Sequence, residues 1–146
     1  MTRRLSPSLE DYLEAVYALS RETAFARASA VSRRLKVSKP SVNSAVKALA
    51  ARGLLEQERY GGIRLSPSGE KLGAEISSRH STLKDFFTAV LRMPPEAAER
   101  DACRAEHALS REALSSISAL AAFLKSPAGR RALSSAGLLP RAGREK

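Results

Sequence analysis

ASAVSRRLKVSKPSVNSAVKALAARG, residues 28–53, is the stretch whose reading decides the fold. Residues Ala28–Leu35 have the length and composition of a short helix, and Val37-Ser38-Lys39-Pro40 is a break and a restart. Ser38 can cap the next helix through its side-chain oxygen, and Pro40 fits the first turn, where a missing N–H costs nothing. That second helix runs to about Arg52 with Val42, Val46 and Leu49 inward, and Gly53 ends it. Two helices joined by a short turn form a helix-turn-helix. Leu54–Arg59 and Ile63–Leu65 then flank Tyr60-Gly61-Gly62, which reads as a hairpin. A hairpin directly after a helix-turn-helix is the wing of a winged helix.

Upstream, Leu9, Tyr12, Leu13, Val16, Tyr17 and Leu19 recur at three-to-four spacing and predict an amphipathic first helix, started at Ser6-Pro7 or at Ser8. A loop through residues 21–27 follows. Downstream, Ser66-Pro67 starts a long helix with Leu72, Ile76, Leu83, Phe86, Phe87, Val90 and Leu91, ending before Pro94-Pro95. Pro95 starts the helix that carries Cys103. Ser110 is the expected N-cap of a last main helix, whose stripe of Leu114, Ile117, Leu120, Ala121 and Leu124 can pack against another helix or a second subunit. Beyond Pro127 the composition is rich in Ala, Gly, Ser and Arg, giving a short helix or a basic, frayed tail. The expected fold is mainly α: a winged helix-turn-helix over residues 1–68, an all-helical part over 69–125, and a tail over 126–146.

The net charge of +10 is uneven along the 146 residues. Residues 1–65 carry 12 Lys+Arg against 6 Asp+Glu, residues 66–124 carry 7 against 8, and residues 125–146 carry 6 against 1. Basic ends around a near-neutral middle fit contact with nucleic acid by the ends; the plainer alternative is a solvated basic surface. A single cysteine excludes an intramolecular disulfide framework. The N-terminal Met-Thr-Arg-Arg-Leu-Ser-Pro-Ser has no apolar core, so no signal peptide is expected. No apolar run approaches the roughly 18 residues of a membrane span, and the chain reads as cytoplasmic.

The chemistry concentrates in Cys103-x-x-Glu106-His107, which uses the only cysteine and one of the two histidines. At helical spacing the three side chains share a face and can converge on one ion. His80 lies between Ile76 and Leu83, near the apolar face of the long helix, where a hydrogen-bonded core histidine is the ordinary finding. Asp11 and Glu14 lie three apart on the first helix, where an acid also complements the helix dipole, and Asp11 can close a capping box with Ser8. Together these residues offer six ligands from three segments, with both histidines and the only cysteine among them. No paired Cys or Cys/His spacing of a structural zinc site occurs. Oxygen and nitrogen donors with one thiolate suit Mn(II) or Fe(II), with Zn(II) or Co(II) as further possible binders.

On the second helix of the helix-turn-helix, Lys39, Pro40, Ser41, Asn43, Ser44 and Lys47 make up the start and the outward face, small and polar with two cations. Asn43 can read adenine bidentately, while Lys39 and Lys47 suit phosphates. Arg59 and Tyr60 at the wing tip, with Arg64, are candidates for contacts to the DNA backbone.

These segments, taken jointly, resemble the diphtheria toxin repressor family, which includes the iron-dependent repressors and the manganese transport regulator. The resemblance spans roughly residues 8–125 and rests on Leu9-Glu10-Asp11-Tyr12-Leu13-Glu14, Ser38-Lys39-Pro40-Ser41-Val42, Leu65-Ser66-Pro67-Ser68-Gly69, Arg79-His80 and Cys103-Arg104-Ala105-Glu106-His107. It implies a homodimeric repressor of Mn(II) or Fe(II) uptake genes, activated by a divalent metal and bound to double-stranded operator DNA. It also implies that residues 69–125 form the metal-binding and dimerisation domain, and that Asp11, Glu14, His80, Cys103, Glu106 and His107 fall on metal positions. Asp11 with Glu14 is similar to the manganese type and Cys103 to the iron type. Glu99 and Lys84 stand where the iron type has a His and a Glu of its ancillary site, which is therefore incomplete. The chain stops before the C-terminal β-domain of longer members and resembles the short form.

The expected mechanism is a switch: a cation neutralises Asp11, Glu14 and Glu106 and fixes the spacing of two recognition helices for grooves about 34 Å apart. The alternative is a winged-helix regulator that responds to an organic ligand or to thiol oxidation. An enzyme using Cys103 and His107 as nucleophile and base would need an oxyanion motif and a substrate loop. The sequence has neither in conspicuous form, so no enzyme is expected.

Overall fold

The computed structural model describes residues 5–138. The fold is mainly helical, with seven α-helices and one small sheet among the described residues. The chain divides into two compact units, Met1–Ser77 and Ser78–Lys146.

In the first unit, α1 (Pro7–Ser20) is capped by Ser6, whose hydroxyl accepts the Leu9 N–H at 3.3 Å, with Pro7 in the first turn. Ser6, not Ser8, is therefore the start signal. The buried face of α1 is Tyr12, Leu13, Ala15 and Val16, with Glu10 buried beside them. The helix-turn-helix is α2 (Ala28–Leu35) and α3 (Lys39–Ala51). Lys36 makes the turn between them in the left-handed region, at φ 56°, and the Ser32 hydroxyl fastens it by donating to the Val37 carbonyl at 2.6 Å. Ser38 caps α3 by accepting the Ser41 N–H at 3.3 Å. Gly53, at φ +71°, lets the chain leave the helix, a conformation that costs an L side chain energy.

The wing consists of β2 (Leu55–Gln57) and β3 (Gly62–Leu65), antiparallel with Leu55 opposite Leu65. A third strand, β1 (Ala26–Arg27), pairs on the other side of β3, Ala26 opposite Ile63. It lies where the sequence predicts only a loop. Two residues carry no alternation to detect; pairing makes the strand, and Phe25 helps by packing against the space a side chain at Gly62 would fill.

Leu13, Val16, Val31, Val42, Val46, Leu49 and Ile76 are fully buried and join the helices and the wing in one core. Each such side chain contributes about 1.5–3 kcal/mol of transfer free energy. The long helix α4 (Pro67–Asp85) begins on this core. The Ser66 hydroxyl accepts the Gly69 N–H at 3.0 Å and donates to the Gly53 carbonyl at 2.6 Å. Gly69 meets the Leu54 carbonyl so closely that no Cβ fits there.

In the second unit the end of α4 widens into a π-helical turn, Phe86–Val90, where sequence periodicity predicts unbroken α-helix. Then follow α5 (Pro95–Ala105), α6 (Arg111–Lys125) and α7 (Pro127–Ser135), the last two capped by Ser110 and Ser126. Leu83, Ala102 and Leu114 form the core, with Phe87, Ala105, Leu109 and Ile117 against it. Gly129 brings α7 against the Phe123 carbonyl. On α6, Leu120 and Phe123 are exposed. The short helix anticipated after Pro127 is α7; residues 139–146 of the expected basic tail lie outside the described residues. Among the described residues, no helix is long and apolar enough to cross a membrane.

Candidate metal centre and nucleic-acid interface

Glu106 is the hub of the polar cluster in the second unit. The last helical residue of α5 is Ala105, so Cys103, Glu106 and His107 do not share one uninterrupted helix as spacing alone predicts. Ala108 N–H and Leu109 N–H both turn back to the Ala105 carbonyl, which carries the chain toward Ser110 and the start of α6. Glu106 still keeps helical dihedrals, φ −59° and ψ −30°, and donates its N–H to Ala102 at 3.0 Å. It therefore stays on the stripe of Ala98 and Ala102, both fully buried, and its own residue exposure is 1%.

One carboxylate oxygen of Glu106, Oε2, lies 2.8 Å from His80 Nδ1. The other, Oε1, has no hydrogen-bond partner; His107 Nε2 is 3.5 Å away, beyond the usual hydrogen-bond length. Both imidazoles are largely buried, 14% exposed for His80 and 10% for His107. On its other edge, His80 Nε2 is 3.0 Å from Glu99 Oε1, and Glu99 Oε2 is 2.7 Å from Lys84 Nζ. The hydrogen bond from Lys84 holds the Glu99 carboxyl below its ordinary range, with a further contribution from His80, while partial burial opposes the shift.

A buried carboxylate oxygen without a donor is costly. With His107 beside that oxygen and His80 on the other, the carboxylate fits a cation, and the donor set of imidazole nitrogen and carboxylate oxygen suits Mn(II), Fe(II), Co(II) or Zn(II). Cys103 is exposed, forms no disulfide, and belongs to no group of three ligand atoms mutually within 4.8 Å among the described residues. It lies about 100° around the helix from Ala102, off the buried stripe. In the first unit, Asp11 and Glu14 lie three residues apart on α1, both half-buried. With Ser6 as the cap, the third helical residue is Leu9, which removes the capping-box alternative for Asp11.

The outward face of α3 is as the sequence anticipates. Lys39, Pro40, Ser41, Asn43, Ser44 and Lys47 are all exposed, while Val42, Ala45, Val46 and Leu49 face the core. The Ser41 hydroxyl shares a 2.8 Å hydrogen bond with that of Ser38, so it is held at the helix start. At the wing tip Arg59 is exposed and Tyr60 is 89% exposed, an unusual placement for an aromatic side chain. Arg64 spans the wing to Glu58 at 2.8 Å.

The sequence pattern of the iron dependent repressor N-terminal DNA binding domain matches residues 4–63, and that of the iron dependent repressor metal binding and dimerisation domain matches residues 66–131. The chain belongs to the iron dependent repressor family. This family member is similar to the transcriptional regulator MntR of Escherichia coli O6:H1, 41% identical over 106 residues, covering 73% of this chain and 68% of that one. It is also similar to the HTH-type transcriptional regulator MntR of Geobacillus kaustophilus, 34% identical over 120 residues, which cover 82% of this chain and 84% of the relative. Among solved structures it resembles IdeR of T. acidophilum, with a TM-score of 0.68 and 25% identity over 79% of this chain. This chain spans about half of that solved chain, 53%.

Two residues of the cluster have no ligand role in the sequence reading: Lys84 and Glu99 stand there only as departures from the iron type's ancillary site. The available signal was the i, i+4 spacing of His80 and Lys84 on one helix face.

Proposed function

We propose that the chain is a cytoplasmic, homodimeric transcriptional repressor of Mn(II) or Fe(II) uptake genes, which binds operator DNA when loaded with divalent metal. The observation that carries this reading is the Glu106 carboxylate, 1% exposed and with one oxygen lacking a donor, set against two imidazoles in a chain with a small, polar recognition helix. Residues 1–68 read the operator, residues 69–125 bind metal and dimerise, and the basic residues of 126–146 add charge.

His80, Glu106 and His107 would hold the metal; Asp11 and Glu14 are assigned to it from the sequence pattern, and Cys103 from its place in the family motif. When bound, the cation would supply positive charge that neutralises the carboxylates of this set. Glu106 contributes the otherwise undonated oxygen, and His80 contributes Nδ1. Lys39 and Lys47 then neutralise phosphates, Asn43 and Ser44 meet base edges, and Arg59 and Tyr60 meet the backbone from the wing. No catalytic role is assigned to Cys103 or His107.

The reading is tested by selecting duplexes from a random pool in saturating Mn(II) and measuring their affinity by anisotropy, in Mn(II) and in chelator. A gain of roughly 5–150-fold with metal is expected, the usual range of allosteric coupling. Equal affinities in the two conditions would refute it. The exposed thiol favours one second reading, a regulator switched by oxidation of Cys103. In that case Cys103→Ser abolishes the response, while the His80→Ala, His107→Ala double variant keeps it.

A further inference from the structure

We infer that Lys84 and Glu99 position His80, fixing which ring nitrogen is offered to the metal. The inference rests on the metal reading above and adds to it two residues that bind no ion themselves. His80 is held on both edges: Nδ1 faces Glu106 Oε2 at 2.8 Å, and Nε2 faces Glu99 Oε1 at 3.0 Å. An ionised carboxylate only accepts hydrogen bonds, so in the metal-free protein either ring nitrogen can donate to the carboxylate it faces. Only Nδ1 faces a residue of the ligand set, so a cation beside Glu106 would take the lone pair of Nδ1 and leave the ring proton on Nε2, where Glu99 accepts it. The partner of the second imidazole nitrogen decides the tautomer and the ring orientation of a metal-binding histidine.

Glu99 is half exposed and by itself would sample several rotamers. Lys84 restrains it. Its ammonium takes Oε2 at 2.7 Å, leaving Oε1 for the ring, and it stands one helical turn beyond His80 on α4. Both oxygens of Glu99 are thereby committed, to Lys84 and to His80, which gives Glu99 a positioning role instead of a ligand role. The relay Lys84–Glu99–His80–Glu106 runs from the surface to the buried carboxylate with heavy-atom distances of 2.7, 3.0 and 2.8 Å.

Three variants test this in the full chain. Glu99→Leu removes the acceptor. Glu99→Gln keeps an oxygen that accepts the Nε2–H. The double swap Lys84→Glu, Glu99→Lys keeps an ion pair between the same positions but sets an ammonium donor against Nε2, which moves the ring proton to Nδ1.

Mn(II) affinity is read by calorimetry, and the protonated nitrogen of His80 by long-range 1H–15N spectra of metal-free and Zn(II)-loaded protein. Wild type is expected to carry its proton on Nε2 when Zn(II)-loaded. Glu99→Leu and the swap are expected to bind Mn(II) about 10–100-fold more weakly, with Glu99→Gln closer to wild type. A swap variant that binds Mn(II) as wild type does would make the pair merely structural and overturn the inference alone. Wild-type protein that binds no Mn(II) would remove the metal reading and this inference with it.

Discussion

Replacing Glu106 by glutamine should leave the metal-free protein about as stable as before and remove its response to Mn(II). The expectation follows from the two oxygens of that carboxylate. Oε2 makes a 2.8 Å bond to His80, and a hydrogen bond to a charged group is worth about 1.5–3 kcal/mol. Oε1 is buried without a donor, a condition that costs about 1–3 kcal/mol. In Glu106→Gln the amide oxygen can accept from His80 and the amide NH2 can turn toward His107, so the weaker bond and the relieved oxygen nearly offset each other. Metal binding has no such compensation, because a neutral amide replaces an anionic ligand.

At a Mn(II) concentration of 100 times Kd, wild type gains about 2.7 kcal/mol of stability. At roughly 2–4 °C per kcal/mol for a chain of this size, the shift in Tm is about 5–11 °C. A site weakened about 100-fold gains only about 0.4 kcal/mol at the same concentration, or about 1–2 °C. Differential scanning calorimetry of both proteins, with chelator and with Mn(II), reads all four values. Equal Mn(II)-induced shifts in wild type and variant would refute the assignment of Glu106. A metal-free variant that melts far below wild type would refute the balance drawn between its two oxygens.

Other residues give sharper individual expectations. Asn43→Ala should cost about 1–3 kcal/mol for one base identity and relax preference at that position, whereas Lys47→Ala should weaken all duplexes alike and lower the salt slope by about 0.9; salt-dependent anisotropy on matched and mismatched duplexes separates the two. Gly69→Ala should destabilise the first unit by about 1–3 kcal/mol, because the added Cβ strikes the Leu54 carbonyl; urea unfolding followed by circular dichroism measures it. Cys103→Glu should favour Mn(II) over Zn(II) or Fe(II), since a hard oxygen replaces a soft thiolate. An unchanged order of metal affinities in that variant would mean that the exposed thiol is not a ligand.

What the sequence made legible was chiefly local. Ser38, Ser66 and Ser110 each precede a helix and each gives its side-chain oxygen to the first turn, as the spacing of Ser and Pro predicts. The inward stripe of α3 and its small polar outward face follow from the same 3.6-residue period. The strand Ala26–Arg27 was not legible, because two residues have no pattern of their own and become a strand only against Ile63 and Gly62. The end of α5 was also hidden, since nothing within residues 103–107 signals that the chain must turn there to reach the Ser110 cap.

That turn changes the reading of the Cys103 segment. Glu106 continues the stripe of Ala98 and Ala102 into the interior, while Cys103 faces outward with Glu99, four residues before it. The pairing of Glu99 with both His80 and Lys84 depends on how α4 and α5 pack, which no single-helix pattern contains.

Metal loading and operator binding are, on this account, two sides of one equilibrium, and linkage requires each to strengthen the other by the same factor. The most direct measurement is therefore the Mn(II) affinity of the protein with and without saturating operator duplex, by calorimetry in one buffer. The account predicts Mn(II) binding roughly 5–150-fold tighter on the operator, matching the gain in DNA affinity that Mn(II) produces. An identical Mn(II) affinity with and without operator would contradict it.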